Sequence, residues 1–208
     1  CIAVLEGGLA IYGGLLGGLI SAFVFSKIKK INYLKLTDIL APCVLVGQII
    51  GRWGNFINVE AYGGETTLPW RMEISYMVNG SVVLEKFVHP TFLYESLWNL
   101  CVITVILILY RKKKFDGQMS ATYFIGYGIG RMLIEGLRTD SLMLGNLRVS
   151  QGLSFLLVVL GVMMYIILGD RTRKKREEAR EYVSVYAEKS DEKDDKDEKG
   201  GTEDGKDN

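Results

Sequence analysis

An apolar run of the chain ends in the stretch Gly51-Arg52-Trp53-Gly54-Asn55-Phe56-Ile57-Asn58-Val59-Glu60. The run predicts a membrane-embedded helix whose end carries an arginine, two asparagines and a glutamate. An ionisable side chain at the centre of a bilayer costs about 2.5–3.5 kcal/mol on insertion scales, so such residues usually serve a function. The alternative is a single arginine that snorkels to the interface at a helix end. Four polar residues grouped this closely favour a functional site.

The composition divides the 208 residues into an apolar body and a charged tail. Hydrophobic residues make up 49% of the whole, and the formal net charge is +1. We expect a membrane-embedded domain at 1–169 and a charged, disordered tail at 170–208, beginning with a short basic helix. The body has no basic stripe of the kind that nucleic-acid binding requires. The sequence therefore predicts no nucleic-acid partner. The cysteines show no metal-ligand spacing, so it predicts no metal site either.

Five segments are apolar and long enough to cross about 30 Å of hydrocarbon, which takes about 20 helical residues. They lie at residues 9–25, 39–57, 91–110, 119–137 and 152–168. Clusters of lysine and arginine follow the first, third and fifth segments, at 27–30, 111–114 and 171–176. Positively charged loops stay preferentially in the cytoplasm, so we expect all three clusters on that side. The fold class predicted is an all-α polytopic membrane protein with about five transmembrane helices.

This topology gathers the unusual polar groups of the body at the extracytoplasmic end of the bundle. Arg131, Glu135 and Arg138 are spaced so that they share one face of the fourth helix. Together with Arg52, two or three guanidinium groups would converge on one pocket, although Glu135 could simply neutralise an arginine. Because arginine binds phosphate bidentately and stays charged at low dielectric, the pocket suits a phospholipid headgroup.

Further polar side chains would line the same pocket. Asn55, Asn58 and Glu60 could hold the remaining arginine donors or a hydroxyl group of a lipid headgroup. His89, the only histidine, opens the third helix at the same interface. It could act as a general base, although a single interfacial histidine more often has a structural role.

A small extracytoplasmic loop, residues 61–88, separates the second and third helices. Asn79-Gly80 lies between two β-rich runs, a strong signal for a hairpin. This hairpin would cap the site as a docking surface for a partner, or would be a passive connector.

Two of the predicted helices contain several closely spaced glycines. The pairs Gly13/Gly17 and Gly14/Gly18 have the GxxxG spacing that favours close packing of helices in lipid; the alternative is that they make room for a headgroup. Gly126-Tyr127-Gly128-Ile129-Gly130 lacks the spacing of a dinucleotide-binding loop, and no strand precedes it, so a packing role is expected.

Several motifs, in chain order, resemble the prolipoprotein diacylglyceryl transferase family. They are 51–60, the most specific, with Ile11-Tyr12-Gly13-Gly14-Leu15-Leu16-Gly17-Gly18, His89-Pro90-Thr91-Phe92-Leu93-Tyr94-Glu95, residues 127–138 and Gln151-Gly152-Leu153-Ser154. The resemblance covers most of residues 7–168. It implies a cofactor-free enzyme of the bacterial cell membrane that transfers the diacylglyceryl group of phosphatidylglycerol to the lipobox cysteine of a prolipoprotein. Glycerol phosphate would be released.

The resemblance also implies roles for individual residues. Arg52 and Arg131 are expected to bind the phosphate, with Glu60 and Glu135 orienting them, and Tyr12 completes the expected catalytic set. The expected substrate-binding residues are Asn55, Asn58, Gly13, Gly14, Tyr127, Arg138, His89 and Arg52 itself.

The chain departs from the family pattern in two ways. Tyr12 stands where many members carry a histidine, and it either substitutes as a phenol or shows that no base is obligatory there. The family also has spans upstream of Gly7, so we expect an N-terminally incomplete chain. A transporter or a non-catalytic phospholipid-binding protein is the alternative function. The absence of internal repeats and the position of the polar groups at one end of the bundle disfavour a transporter.

Overall fold

Five helices and two small antiparallel sheets make up the computed structural model, which describes residues 8–78, 81–138, 143–144 and 147–200. The helices are α1 (Gly8–Ile28), α2 (Tyr33–Ile57), α3 (Thr91–Tyr110), α4 (Gln118–Glu135) and α5 (Val149–Gly200). The strands are β1 (Met72–Val78), β2 (Ser81–Val88), β3 (Met143–Leu144) and β4 (Leu147–Arg148). Each predicted apolar segment therefore lies within one helix or ends within two residues of it.

Within the described residues, three helices are long and apolar enough to cross a membrane, namely Tyr33–Ile57, Thr91–Tyr110 and Ser150–Ser184. A shorter apolar helical stretch lies at Leu16–Ile28 in α1. Helix α4 has a lower mean hydropathy because buried polar residues interrupt its apolar sequence. The structure thus confirms a mostly helical polytopic membrane protein, and the count of five crossings stays a prediction.

The distribution of side chains is that of a protein surrounded by lipid. Large apolar residues face outward, among them Ile28, Ile50 and Ile57, which are 71%, 66% and 77% exposed. Asp38, Glu95 and Glu135, by contrast, are buried between the helices. A soluble monomer rarely exposes so continuous an apolar surface, and charged residues in membrane proteins face the interior of the bundle.

Glycines of α4 let its neighbours approach closely. A Cβ atom at Gly130 would lie 2.1 Å from Trp98 Cδ1 of α3, and one at Gly128 would lie 2.8 Å from the Ser154 carbonyl of α5. The Trp98 indole donates to the Gly126 carbonyl at 2.8 Å. The expected packing role of this glycine run is confirmed. At Gly13, Gly14, Gly17 and Gly18, by contrast, an added Cβ would meet nothing within 4 Å in the described chain.

The predicted hairpin is confirmed as β1 and β2, which pair antiparallel from Met72↔Val88 to Val78↔Ser81 with a bulge between Tyr76 and Met77. The turn residues Asn79 and Gly80 lie outside the described residues. A segment at 63–66 binds the end of the hairpin: Gly63 N–H donates to the His89 carbonyl and Thr66 N–H to the Phe87 carbonyl. Gly64 N–H donates to the Leu137 carbonyl just beyond α4. The hairpin is thereby tied to the ends of α3 and α4.

At the opposite end of the bundle, the Asp38 side chain of α2 caps the first turn of α4. Its carboxylate accepts from Gly117 N at 2.8 Å, Ser120 N at 2.9 Å and the Ser120 hydroxyl at 3.1 Å. Lys113 Nζ lies 2.9 Å from the same carboxylate. A carboxylate at a helix N-terminus satisfies unpaired N–H groups and interacts favourably with the helix dipole. Because it belongs to a different helix, this cap also fixes α2 against α4.

Helix α5 continues well beyond the membrane-length segment. Its backbone is helical to Gly200, whereas the sequence predicts only a short basic helix through Tyr182. Lysine and glutamate are good helix formers, and pairs such as Arg173–Glu177 (2.9 Å) support the turns. Isolated helices of such composition are marginal in water, so the expected disorder of residues 189–199 stays a prediction.

Candidate active site

Three helices bring two arginines onto one buried carboxylate, that of Glu95. Arg52 Nη2 from the end of α2 lies 2.6 Å from Glu95 Oε2, and Arg131 Nη1 from α4 lies 2.8 Å from Glu95 Oε1. Glu95 sits in the first turns of α3, with its side chain 5% exposed. Each carboxylate oxygen therefore holds a different guanidinium group. The predicted convergence of Arg52 and Arg131 is present in the structure.

A second carboxylate completes the cluster from within α4. Arg131 Nη2 lies 2.8 Å from Glu135 Oε2, one turn later along the same helix. Glu135 is buried, so this ion pair is screened little by water. The two carboxylates balance the charges of the two arginines and hold Arg131 from two sides. A third positive group, Arg138, follows α4, where its backbone bridges that of Gly63.

Glu60 contacts the asparagines of its own motif. Its Oε1 accepts from Asn55 Nδ2 at 3.2 Å and from Asn58 Nδ2 at 3.3 Å. The turn that carries Glu60 is unusual, since Val59 and Ala61 both have positive φ angles, 53° and 58°. A β-branched residue rarely adopts this left-handed conformation, and such outliers cluster at functional sites. Glu60 therefore orders the two amides in the described structure, while Glu95 contacts Arg52.

Gly63 leaves no room for a side chain beside the entrance to α3. A Cβ atom there would lie 2.7 Å from His89 Cβ and 3.0 Å from the Leu137 carbonyl oxygen. The Thr91 hydroxyl donates to the Ala61 carbonyl from the other side. This packing brings the loop after Glu60 against the ends of α3 and α4, next to the arginine cluster.

His89 lies half-buried at the start of α3. Its Nδ1 lies 3.3 Å from the Tyr94 hydroxyl, which also accepts from Trp70 Nε1 at 2.9 Å. The Trp70–Tyr94–His89 chain joins the loop before the hairpin to α3. These contacts of His89 support a structural role for its side chain.

The other predicted site residues are placed as follows. Tyr127 lies one turn before Arg131 and stacks on Tyr123, with ring centroids 5.6 Å apart and planes at 15°. Gly13 and Gly14 lie exposed in α1, which contacts α2. Tyr12 belongs to the same helix, but its side chain lies outside the part of the chain that can be described.

Sequence reasoning missed Glu95 and Asp38. Glu95 closes the motif that begins at His89, and its position four residues after Thr91 places both at the buried face of α3. The available signal was the presence of a carboxylate within a hydrophobic helix, because burying an unpaired carboxylate there would be costly. Asp38 gives the same signal in α2.

Residues 1–167 match the family described as prolipoprotein diacylglyceryl transferase. A phosphatidylglycerol–prolipoprotein diacylglyceryl transferase of Clostridioides difficile is 48% identical over 167 residues, which are 80% of this chain and 64% of that protein. Proteins of the same name from Clostridium novyi and Listeria innocua are each 46% identical, over 77% and 79% of this chain and 63% and 61% of their own lengths.

The chain thus spans a little over three fifths of the length of these curated relatives. The match extends over four fifths of the chain and includes every helix that contributes to the arginine–glutamate cluster. The chain belongs to the prolipoprotein diacylglyceryl transferase family.

Proposed function

We propose that this protein transfers the diacylglyceryl group of phosphatidylglycerol to the thiol of a lipobox cysteine in a prolipoprotein, forming a thioether and releasing glycerol phosphate. The observation that carries the proposal is the pair of guanidinium groups on Glu95, at 2.6 and 2.8 Å. Family membership supplies the reaction, since the relatives carry that activity in their names. The lipid, the prolipoprotein and the surrounding membrane are the partners.

The chemistry requires that a carbon–oxygen bond of glycerol break while a carbon–sulfur bond forms. The cysteine thiolate is a far better nucleophile than the thiol. It attacks the carbon of the diacylglyceryl group that is bonded to the phosphate oxygen. The phosphate leaves with the electron pair of the broken bond and gains one negative charge. Fixed guanidinium groups that face the phosphate oxygen of the breaking bond stabilise the charge that develops on it in the transition state.

Arg52 and Arg131 are the residues that we assign to the phosphate. Within the described chain, Arg52 uses only Nη2 to contact Glu95, so Nε and Nη1 stay available to phosphate oxygens. Arg131 is held on both sides by Glu95 and Glu135. Glu95 and Glu135 would thus orient the arginines before the lipid arrives, and prior orientation avoids the cost of reorganisation during the reaction.

The remaining site residues would bind the rest of the lipid. Asn55 and Asn58, ordered by Glu60, would contact the glycerol headgroup; Gly13 and Gly14 would let it approach α1. Tyr127 on α4, Arg138 just after α4 and His89 just before α3 would line the same pocket. Tyr12 would supply a phenol hydroxyl where relatives carry an imidazole; Tyr12→Phe should then lower turnover and Tyr12→His should not.

We infer that all five helices cross the membrane, with the arginine cluster at the extracytoplasmic side and the C-terminal tail in the cytoplasm. Basic clusters follow α1, α3 and α5, which favours the cytoplasm for that end. The hairpin would then cover the site from the outside.

The test is the mass of a lipobox peptide after incubation with phosphatidylglycerol and the full-length protein in nanodiscs. We expect a diacylglyceryl gain on the cysteine, loss of this gain in Arg52→Ala, and an unchanged gain in Arg111→Ala, an exposed arginine at the opposite end. If phosphatidylglycerol binds but is not consumed, the proposed transferase activity is wrong, and a lipid-binding or transport protein is favoured instead.

A further inference from the structure

A cavity lies at the end of the bundle opposite Glu95, between three segments that follow or precede apolar helices. It has a volume of about 490 Å³. The α1–α2 turn, the loop between α3 and α4, and the part of α5 after Leu168 form its walls. About 18 helical residues of α2 separate its wall at Leu34 from Arg52, which corresponds to about 27 Å along the helix.

Four cations line this cavity, contributed by the loop and by α5: Lys114, Arg171, Lys175 and Arg176. Arg171 and Lys175 lie one turn apart and share a face of α5. Arg176 Nη2 donates to the Lys114 carbonyl at 2.7 Å, which fixes α5 against the loop. All four residues are exposed.

The cations are not neutralised by the protein. Asp116, the one carboxylate in the wall, is paired with Lys113 at 3.0 Å and accepts from Asn32. Across the described residues, Lys114, Arg171 and Arg176 have no carboxylate within 4.0 Å, and neither has Lys175. The cavity therefore presents uncompensated positive charge toward an anionic ligand.

The other side of the cavity is apolar. Leu34, Phe115 and Leu168 form this wall, and Phe115 is itself buried. Gly117 makes the close approach of α5 possible: its φ is 93°, and a Cβ atom there would lie 2.7 Å from Leu168 Cδ1. The apolar part of α5 ends at Leu168, and its charged part begins at Asp170. Apolar and cationic walls thus meet where a helix leaves a membrane.

We propose that this cavity binds an anionic phospholipid of the leaflet at that end of the bundle. The phosphate contacts Lys114, Arg171, Lys175 and Arg176, and the first methylenes of an acyl chain pack on Phe115 and Leu168. Basic residues beside a membrane attract anionic lipid, and a pocket between helices adds a fixed geometry for one headgroup. The site is separate from the arginine–glutamate cluster and does not depend on its chemistry.

The test is photo-crosslinking of the full chain in phosphatidylcholine nanodiscs that contain a phosphatidylglycerol probe with a photoreactive acyl chain. Peptide mapping then locates the label along the sequence, so binding at Arg52 is counted separately. We expect the peptides that contain Phe115 and Leu168 to carry at least about tenfold more label than with a phosphatidylcholine probe, since each cation near a membrane surface contributes appreciably.

Matched variants decide whether the cavity is responsible. Arg171→Gln/Lys175→Gln/Arg176→Gln should lose most of the label at these peptides and keep the label near Arg52. Lys29→Gln/Arg111→Gln/Lys112→Gln removes equal charge from exposed positions outside the cavity and should change little. Equal labelling by the two lipid probes, or an equal loss in both variants, overturns the proposal. Displacement by inorganic phosphate at constant ionic strength would overturn it in favour of a site for free anions.

Discussion

Glu95 Oε2 lies 2.6 Å from Arg52 Nη2, joining the end of α2 to the start of α3 at a point where both side chains are largely buried. The same carboxylate holds Arg131 from α4. Two guanidinium groups gathered around one carboxylate would repel each other if that anion were absent. Glu95 is therefore the residue that allows two arginines to share one pocket before any phosphate is present.

Replacement of Glu95 by glutamine should disable the site because the two arginines lose the anion that holds them together. The amide is isosteric but cannot neutralise two cations, and removal of one member of a buried ion pair costs about 3–5 kcal/mol. We expect turnover of the lipobox peptide to fall on the order of 10²-fold, since small displacements of positioning groups have effects of that size.

Glu65→Gln is the control for this variant. Glu65 is exposed, and among the residues that the structure describes its carboxylate forms an ion pair only with Lys86, at 3.4 Å. The Glu65→Gln variant should retain full turnover of the lipobox peptide. Glu95→Gln with undiminished turnover would remove Glu95 from the mechanism.

Gly130→Ala should destabilise the bundle through overpacking. The added methyl would lie 2.1 Å from Trp98 Cδ1, so the indole must move and its bond to the Gly126 carbonyl must weaken. Overpacking of this kind typically costs about 1–3 kcal/mol. The thermal midpoint of the purified protein measures the loss. Gly47→Ala, where the methyl would meet nothing within 4 Å, should not lower the midpoint.

Asp38→Ala should weaken the contact between α2 and α4. The substitution leaves buried N–H groups of Gly117 and Ser120 without their acceptor, at a cost of roughly 2–4 kcal/mol. Asp116→Ala removes a nearby carboxylate that caps no helix and should cost less than about 1 kcal/mol. Equal unfolding free energies for the two variants would show that the cap is unimportant.

Lys113 should make stability depend on pH in the alkaline range. Burial is the largest single influence on its pKa and lowers it, but hydrogen bonds and charges of Asp38 and Asp116 together outweigh burial and raise the pKa above its ordinary value. A raised pKa stabilises the folded state at pH values below about 10.4, the unfolded value, and this contribution is lost as pH rises through the folded pKa.

Lys113→Gln, which cannot titrate, is the comparison that isolates this effect. The advantage of the wild type over this variant should be constant near neutral pH and shrink above pH about 10.4. An advantage that grew with alkaline pH would contradict the raised pKa.

The proposed orientation predicts which single cysteines react from outside intact cells. In a background with all three native cysteines replaced by serine, Glu65→Cys should react with a membrane-impermeant maleimide. Lys112→Cys, at the opposite end of α3, should react only after permeabilisation. The reverse pattern would place the arginine cluster in the cytoplasm.

Much of the fold follows from local properties of the sequence. Runs of apolar residues determine helices because, in lipid, the backbone must satisfy its own hydrogen bonds. Asn79-Gly80 between β-rich runs predicted the hairpin for a similarly local reason, since this dipeptide favours a connection between two antiparallel strands. The family motif around Arg52 likewise marked the helix end whose arginine contacts Glu95 in the structure.

The tertiary structure decided which charges meet. Arg52, Glu95 and Arg131 are 43 and 36 residues apart along the chain, and no local pattern specifies that one carboxylate lies between the two guanidinium groups. The partners of Asp38 were equally undetermined by the sequence, because a cap that one helix provides to another depends on how the two helices pack. Side-chain identity determined that these groups must be paired when buried, whereas their partners were determined by the packing of α2, α3 and α4.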